Sequence, residues 1–357
     1  MMEEIRTIAV IFGGQSSEHE VSCRSVLNVV KNIDEDLYDV LLIGITKDGR
    51  WLFVEDVSMI EDGSWYESDV SAELSPDAQK GCVIITTPDG TVDDVFVDVC
   101  WPCLHGKYGE DGTIQGLLEM SHIPYVGCGV LSSAVCMDKF FTKLIAAGTG
   151  VRQARFEGVR AQELLTEEGL CAAVERVEEK IPYPVFVKPS CAGSSCGVSK
   201  AACRTELGAA LHKAAEVDAK ILCEEFIKGR EVECAVLGNG AGEVNVSRVG
   251  EILSAAEFYD YDSKYNNPLS QTVTDPDIPV SIKEEIRKDA EKIFRAVDGY
   301  GLARADFFIM DDGEVVFNEI NTMPGFTLTS MYPMLWEAEG TTKKELVQKL
   351  IDLAFLR

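Results

Sequence analysis

The residues with the most definite chemistry lie near the C-terminal end, in two apolar runs, Leu302–Met310 and Val315–Asn321, separated by Asp312-Gly313. Arg304 and Asp306 are two apart on the first run, and Glu319 and Asn321 are two apart on the second. On β-strands each pair therefore shares a face. If Asp312-Gly313 is a two-residue hairpin turn, Asp311 faces Glu314. That register sets Asp306 opposite Glu319 and Arg304 opposite Asn321. Two carboxylates and an amide oxygen beside a guanidinium make a hard-oxygen site suited to Mg²⁺ bridging phosphates. A solvated polar face is the other reading, but carboxylates directly opposite one another repel unless a cation lies between them.

Further groups have two readings each. The small residues Ser190–Gly197, preceded by Lys188, either bring backbone N–H groups close to phosphate oxygens or make a plain flexible turn. They do not have the GxxxxGK[ST] spacing of a Walker A loop. Lys139, in Met137-Asp138-Lys139, is either a phosphate-binding cation or an ordinary surface lysine. Gly13-Gly14 opens a strand-to-helix turn that lacks GxGxxG, which argues against a dinucleotide-dependent oxidoreductase. Glu18 in that turn either holds an ammonium group or simply complements a helix N-terminus. His105–Gly112, punctuated by glycines after a strand, is a binding loop or only a loop.

These groups need elements to position them. A continuous apolar strand, Ile8–Phe12, leads into a helix with Val26, Val29, Val30 and Ile33 at helical spacing. Strands at Val40–Ile45 and near Val95–Leu104 complete a β-α-β alternation, which predicts a parallel sheet covered by helices. The acidic stretch 55–80 reads as a surface excursion, and the first domain ends near Gly127-Cys128-Gly129. A helix capped by Ser132 or Ser133 then carries Met137, Phe140, Phe141, Leu144 and Ile145 on its inner face. A strand at Tyr183–Lys188, closed by Pro189, and a short helix at Leu207–Ala215 follow. From Ile221 onward the pattern is antiparallel, with strands at 221–227, 231–237 and 244–252. A polar loop at 260–276 and an amphipathic helix with Ile282, Ile286, Ile293, Phe294 and Val297 precede the final hairpin.

Composition narrows the function classes. A chain of 357 residues suggests two or three domains, and 46% hydrophobic with 26% charged residues excludes wholesale disorder. No apolar run approaches the roughly 20 residues of a membrane span, and Met1-Met2-Glu3-Glu4 does not read as a signal peptide. A net charge of −27 without a basic patch argues against nucleic acid and anionic membranes as partners. The 12 cysteines, among them Cys100, Cys136, Cys223 and Cys234, read as reduced and mostly buried thiols of a cytoplasmic protein. With four histidines, a structural zinc site is not expected.

Taken in order, several motifs resemble one family. They are Gly13-Gly14-Gln15-Ser16-Ser17-Glu18-His19-Glu20-Val21-Ser22, the loop His105–Gly112, Met137-Asp138-Lys139, Val187-Lys188-Pro189 and Gly193-Ser194-Ser195. Tyr259-Asp260-Tyr261-Asp262-Ser263-Lys264-Tyr265, Ala303-Arg304-Ala305-Asp306 and Asn318–Phe326 continue the series. Together they resemble the D-alanine–D-alanine ligases of the ATP-grasp superfamily over nearly the whole chain.

The resemblance implies a three-domain α/β ATP-grasp fold: an N-terminal parallel-sheet domain (1–127) and two α+β domains (128–222 and 223–357) sandwiching ATP. By match, Lys139 and Lys188 contact ATP phosphates, while Glu224 and the backbone at Phe226 and Ile227 read adenine and Glu231 the ribose. Asp306, Glu319 and Asn321 hold two Mg²⁺ (or Mn²⁺). Glu18 binds the ammonium of the first D-alanine and Ser330 the carboxylate of the second, with His105 and Met331 also lining the substrate site. Phe258–Tyr265 is a closing loop in which Lys264 reaches the transferred phosphate and Tyr265 interacts with Ser194 and Glu18. Arg304 and the N–H of Gly325 hold the oxyanion.

The implied reaction makes D-alanyl-D-alanine for peptidoglycan precursors through a D-alanyl phosphate. D-Serine or, less readily, D-lactate as second substrate is the alternative, as is an inactive ATP-binding regulator. The family also suggests a homodimer.

Overall fold

The computed structural model describes residues 5–193, 197–253 and 271–357. Ser194, Phe258, Lys264 and Tyr265 lie outside the described residues. Among the described residues the strands form three sheets.

The first sheet comprises β1 (Arg6–Gly13), β2 (Tyr38–Ile45), β3 (Trp51–Val54), β4 (Ser71–Leu74), β5 (Cys82–Thr86), β6 (Val92–Phe96) and β7 (Val99–Pro102). Their order is β6-β5-β4-β3-β2-β1-β7. β1 runs parallel to both β2 and β7, and Ile8–Phe12 are wholly buried, as expected for a strand covered on both faces. The parallel-sheet expectation needs correction, because β2 through β6 pair antiparallel. Residues 55–80 are likewise more than a surface excursion. Trp65 from that stretch is buried over Gly44, where an added Cβ would lie 2.4 Å from its ring, and it meets Phe12 edge-on at 4.9 Å. Cys100-Trp101-Pro102-Cys103 has C-x-x-C spacing, but its two buried thiols belong to different hydrophobic cores, as residues three apart along an extended chain must.

The second sheet has the order β10-β9-β11-β8, from β8 (Phe156–Arg160), β9 (Val185–Pro189), β10 (Ser199–Ala201) and β11 (Lys220–Glu225). The strand expected at 221–227 is thus β11, and it belongs here rather than with the strands that follow it. Both of its edges are taken, by β8 and β9. The third sheet is β14-β13-β12-β15-β16, built from β12 (Gly229–Asn239), β13 (Val244–Leu253), β14 (Gln271–Val273), β15 (Tyr300–Met310) and β16 (Val315–Asn321). The helix Val280–Ala296 covers one of its faces with Ile286, Ala290, Ile293 and Phe294.

One expected helix is two. Val130–Met137 ends at Asp138, whose carboxylate accepts from the Phe141 N–H and so starts a second helix, Lys139–Ala147. Ser132 and Ser133 are buried inside the first helix instead of capping it. Phe141 and Leu144 are exposed, and the inward positions of the second helix are Thr142, Lys143 and Ala146. Apolar spacing misplaced this face because its central buried residue is a charged one with a partner. Among the described residues, no helix is long and apolar enough to cross a membrane.

Candidate active site

Three adjacent strands bring the acidic residues into a row. Glu233 on β12 is opposite Asp306 on β15, and Asp306 is opposite Glu319 on β16. Arg304 faces Asn321 in the neighbouring row. The expected pairs are therefore present, but the turn differs from the two-residue reading. Met310 N–H donates to the Glu314 carbonyl and Gly313 N–H to the Met310 carbonyl, both at 2.9 Å, so the loop is Asp311–Gly313. Gly313 has φ +89°, the left-handed conformation such a loop demands. A bulge between the Asp306–Glu319 and Phe307–Phe317 pairs then restores the register that a two-residue turn would have given.

Arg304 is buried within this row. Its Nε and terminal nitrogen donate to the two Asp306 carboxylate oxygens at 2.8 and 2.7 Å, and Nε also lies 3.1 Å from Glu233 Oε2. Burial alone would lower its pKa, but Asp306 and then Glu233 outweigh that and fix the guanidinium in its charged state. Lys139 Nζ lies 3.6 Å from Glu319 Oε2 and donates to the Ala192 carbonyl at 3.1 Å, so it ties the small-residue loop to the acidic row.

A cavity of about 810 Å³ opens between the second and third sheets. Its wall includes Lys139, Lys188, Gly193 and Phe226 on one side and Glu231, Glu233, Arg304, Asp306 and Glu319 on the other. At its base Glu224 is held by two lysines: Lys143 at 2.7 Å from Oε1 and Lys188 at 2.5 Å from Oε2. Burial would raise the Glu224 carboxyl, but the two ammonium groups hold it below its ordinary value. Burial lowers Lys143, whereas for Lys188 the attraction of Glu224 and Glu319 overcomes burial and raises it. The two buried ammonium groups thus compensate the Glu224 carboxylate, and Lys188 in turn feels Glu319 of the acidic row.

The opposite end of the site is built on the turn after β1. Gly13, at φ +87°, ends that strand against the Ile45 carbonyl oxygen, which an added Cβ would meet at 2.2 Å, and the turn that follows delivers Glu18 to the start of the helix His19–Val30. The Glu18 carboxylate fits between two glycines. An added Cβ would lie 2.8 Å from Oε2 at Gly106 and 2.9 Å from it at Gly193. Beside it, burial and then repulsion from Glu18 push the Glu110 carboxyl up to about 8, against an N–H from Gly106 that accounts for a 2.6 Å bond to Oε2. Between its ordinary value of 4.5 and about 8 the folded protein keeps a proton here that the unfolded chain releases, so stability falls as pH rises through that window. Glu110→Gln is expected to flatten this slope, read as the difference in urea midpoint between the two proteins at pH 5.5 and 8.5. An unchanged difference would refute the assignment.

Family models for the D-Ala D-Ala ligase N-terminus and C-terminus match residues 7–128 and 145–352. The chain belongs to the D-alanine–D-alanine ligase family. A D-alanine–D-alanine ligase of Acetivibrio thermocellus is 49% identical over 100% of this chain and 97% of its own length. One from Caldicellulosiruptor bescii is 45% identical over 97% and 94%. Among solved structures, the D-alanine–D-alanine ligase of Coxiella burnetii has a TM-score of 0.84 at 34% identity, covering 99% of this chain and 95% of its own. The VanG D-Ala:D-Ser ligase of Enterococcus faecalis has a TM-score of 0.88 at 36% identity, covering 98% and 100%.

Within this D-alanine–D-alanine ligase family member the remaining expected residues take the following places. Phe226, Ile227 and Glu231 border the cavity. Gly325 lies against Ser330, where an added Cβ would come 3.0 Å from Oγ, and Ser330 Oγ accepts from the Thr327 N–H at 3.0 Å. Ser330 immediately precedes the helix Met331–Ala338, while the Met331 side chain is buried against Gly250. Both His105 ring nitrogens are engaged within the chain, with the Met323 carbonyl at 3.0 Å and Ser25 Oγ at 3.1 Å. His105 thus pins its loop to the segment that carries Gly325, and Ser25 and Asn28 fasten the same segment through Phe326. Glu233, Lys143 and Glu110 were missed in the sequence. Two of them carry a legible signal, since Lys143 is one helical turn beyond Lys139 and Glu233 shares the strand face of Glu231.

Proposed function

We propose that this chain joins two D-alanines to D-alanyl-D-alanine, a peptidoglycan precursor, at the expense of ATP. The observation that carries the reading is the convergence of Lys139, Arg304, Asp306 and Glu319 on one cavity that Gly193 links to Glu18. ATP fits that cavity with its phosphates towards Lys139 and Lys188, its adenine near Glu224, Phe226 and Ile227, and its ribose near Glu231. The all-oxygen set of Asp306, Glu319 and Asn321 suits Mg²⁺ or Mn²⁺, and facing carboxylates need such a cation; two ions would be held there. When bound, they neutralise the phosphate oxygens during phosphoryl transfer.

A carboxylate is a poor electrophile, so the first D-alanine must be phosphorylated before an amine can attack it. Glu18 holds its ammonium group and so directs its carboxylate towards the γ-phosphate. The acyl phosphate is then attacked by the amine of the second D-alanine, whose carboxylate is bound at Ser330 and the Met331 N–H. Arg304 and the Gly325 N–H receive the charge of the tetrahedral oxyanion before phosphate leaves.

We further assign domains to 1–127, 128–222 and 223–357, with β11 continuing across the last boundary, and a cytoplasmic homodimer as the working form.

The direct test is ADP release with D-alanine and Mg²⁺, comparing D-alanine, D-serine and D-lactate as second substrates. D-Alanine is expected to be turned over fastest. A faster reaction with D-serine would move the chain to the serine-accepting ligases, and no ADP release would make it an inactive binder. Gly106→Ala should raise the KM for the first D-alanine several-fold by displacing Glu18, and its φ of +70° adds about 1–2 kcal/mol of strain. An unaltered KM would remove Glu18 from that role.

A further inference from the structure

Resting on the reading that a divalent cation takes Asp306, we propose that Glu233 is a positioning residue that keeps Arg304 in place while Asp306 is given over to the metal. Arg304 spends its bidentate fork on Asp306 at 2.8 and 2.7 Å. Those are the two oxygens a cation must recruit. Arg304 and the cation therefore compete for one carboxylate, and the competition is severe because the guanidinium is buried and loses its bidentate partner.

Glu233 resolves the conflict by geometry. It is the cross-strand neighbour of Asp306 on the side away from Glu319, and its Oε2 lies 3.1 Å from Arg304 Nε. Its side chain is itself buried, at 6% exposure. When Asp306 turns towards the cation, Arg304 keeps one carboxylate partner, and its terminal nitrogens are released towards the cavity that both residues line. The row Glu233–Asp306–Glu319 thus divides its labour: the outer acid on β12 neutralises the arginine, and the other two face the metal.

A double-mutant cycle on the full-length protein tests this. Mn²⁺ affinity is measured with ADP present by electron paramagnetic resonance, which needs no turnover, for wild type, Glu233→Gln, Arg304→Met and the double variant. Glu233→Gln should weaken Mn²⁺ binding by about 10–100-fold. In the Arg304→Met background the same change should have little effect, because the competitor is gone. Glu233→Asp, which retains the charge, should recover part of the affinity. Circular dichroism and urea midpoints establish that each variant is folded. Equal Mn²⁺ affinity in wild type and Glu233→Gln overturns the proposal while leaving the metal reading intact. An equal loss in both backgrounds also overturns it, since Glu233 would then act on the metal directly. Failure of the wild-type protein to bind Mn²⁺ with ADP overturns both readings.

Discussion

Asp306→Asn is expected to reduce ligation by about 10²–10³-fold at saturating substrates, the usual cost of removing one preorganised electrostatic partner from a reacting centre. The substitution keeps the shape and one acceptor oxygen but removes the charge in the middle of the acidic row. Asp306 has cross-strand neighbours on both sides, Glu233 and Glu319, and holds Arg304 through two bonds, so no adjacent residue can substitute for it. Glu233 still neutralises the buried arginine, and the fold is therefore expected to survive. Initial rates of ADP release across a Mg²⁺ titration provide the check. Loss of rate with a raised Mg²⁺ requirement supports the metal assignment, whereas a variant retaining more than a tenth of wild-type turnover would refute it.

The second large effect falls on stability. Glu224→Gln leaves Lys143 and Lys188 buried together without their shared anion. Breaking a buried ionic cluster by deleting its counter-charge costs about 3–5 kcal/mol. Lys143→Met is the informative contrast, because it leaves one neutral pair, Lys188 with Glu224, and should change stability far less. The pH dependence has a defined sign. Lysines buried without Glu224 release protons at lower pH than they do in the unfolded chain, so the unfolded state binds more protons and folding gains as pH rises. The deficit of Glu224→Gln should therefore shrink between pH 7.5 and 9.5, measured as the urea midpoint relative to wild type. A deficit equal to that of Lys143→Met at both pH values would show that the anion is not what holds the cluster together.

The acidic hairpin shows how much of such a site is legible and why. Its pairs follow from alternation along two strands joined by a short turn, all within about twenty residues of sequence. The real loop is one residue longer than a two-residue turn, and a bulge takes that residue back, so the pairing Asp306–Glu319 survives a wrong turn assignment. Glu233 was not legible in the same way. It is more than seventy positions from Asp306 in sequence, and only the choice of β12 as the neighbour of β15 makes them adjacent.

The same distinction explains the helix that follows Asp138. Apolar spacing put Phe141 and Leu144 inside, yet Lys143 is the buried residue, because β9 and β11 bring Lys188 and Glu224 beneath it. Hydrophobic periodicity assumes that buried positions are apolar, and a paired charge defeats that assumption. It failed again at Trp65, where the weakly patterned stretch 55–80 supplies a core residue, because no local signal records that Gly44 leaves room for it.

The sequence by itself determined the family, the acidic hairpin with its register, the glycine turn that presents Glu18 and the lysines flanking the small-residue loop. The family follows from the order of short motifs along the chain, and the hairpin and the glycine turn depend on residues close together, where backbone geometry fixes which side chains share a face. Tertiary structure alone decided the partners: Glu233 for Arg304, Lys143 for Glu224, Glu110 for Glu18 and His105 for Met323. Those pairings join segments distant in sequence, and their energies come from desolvation, charge compensation at Arg304 and Glu224, repulsion between Glu110 and Glu18, and the His105 hydrogen bond, all of which exist only once the sheets have packed.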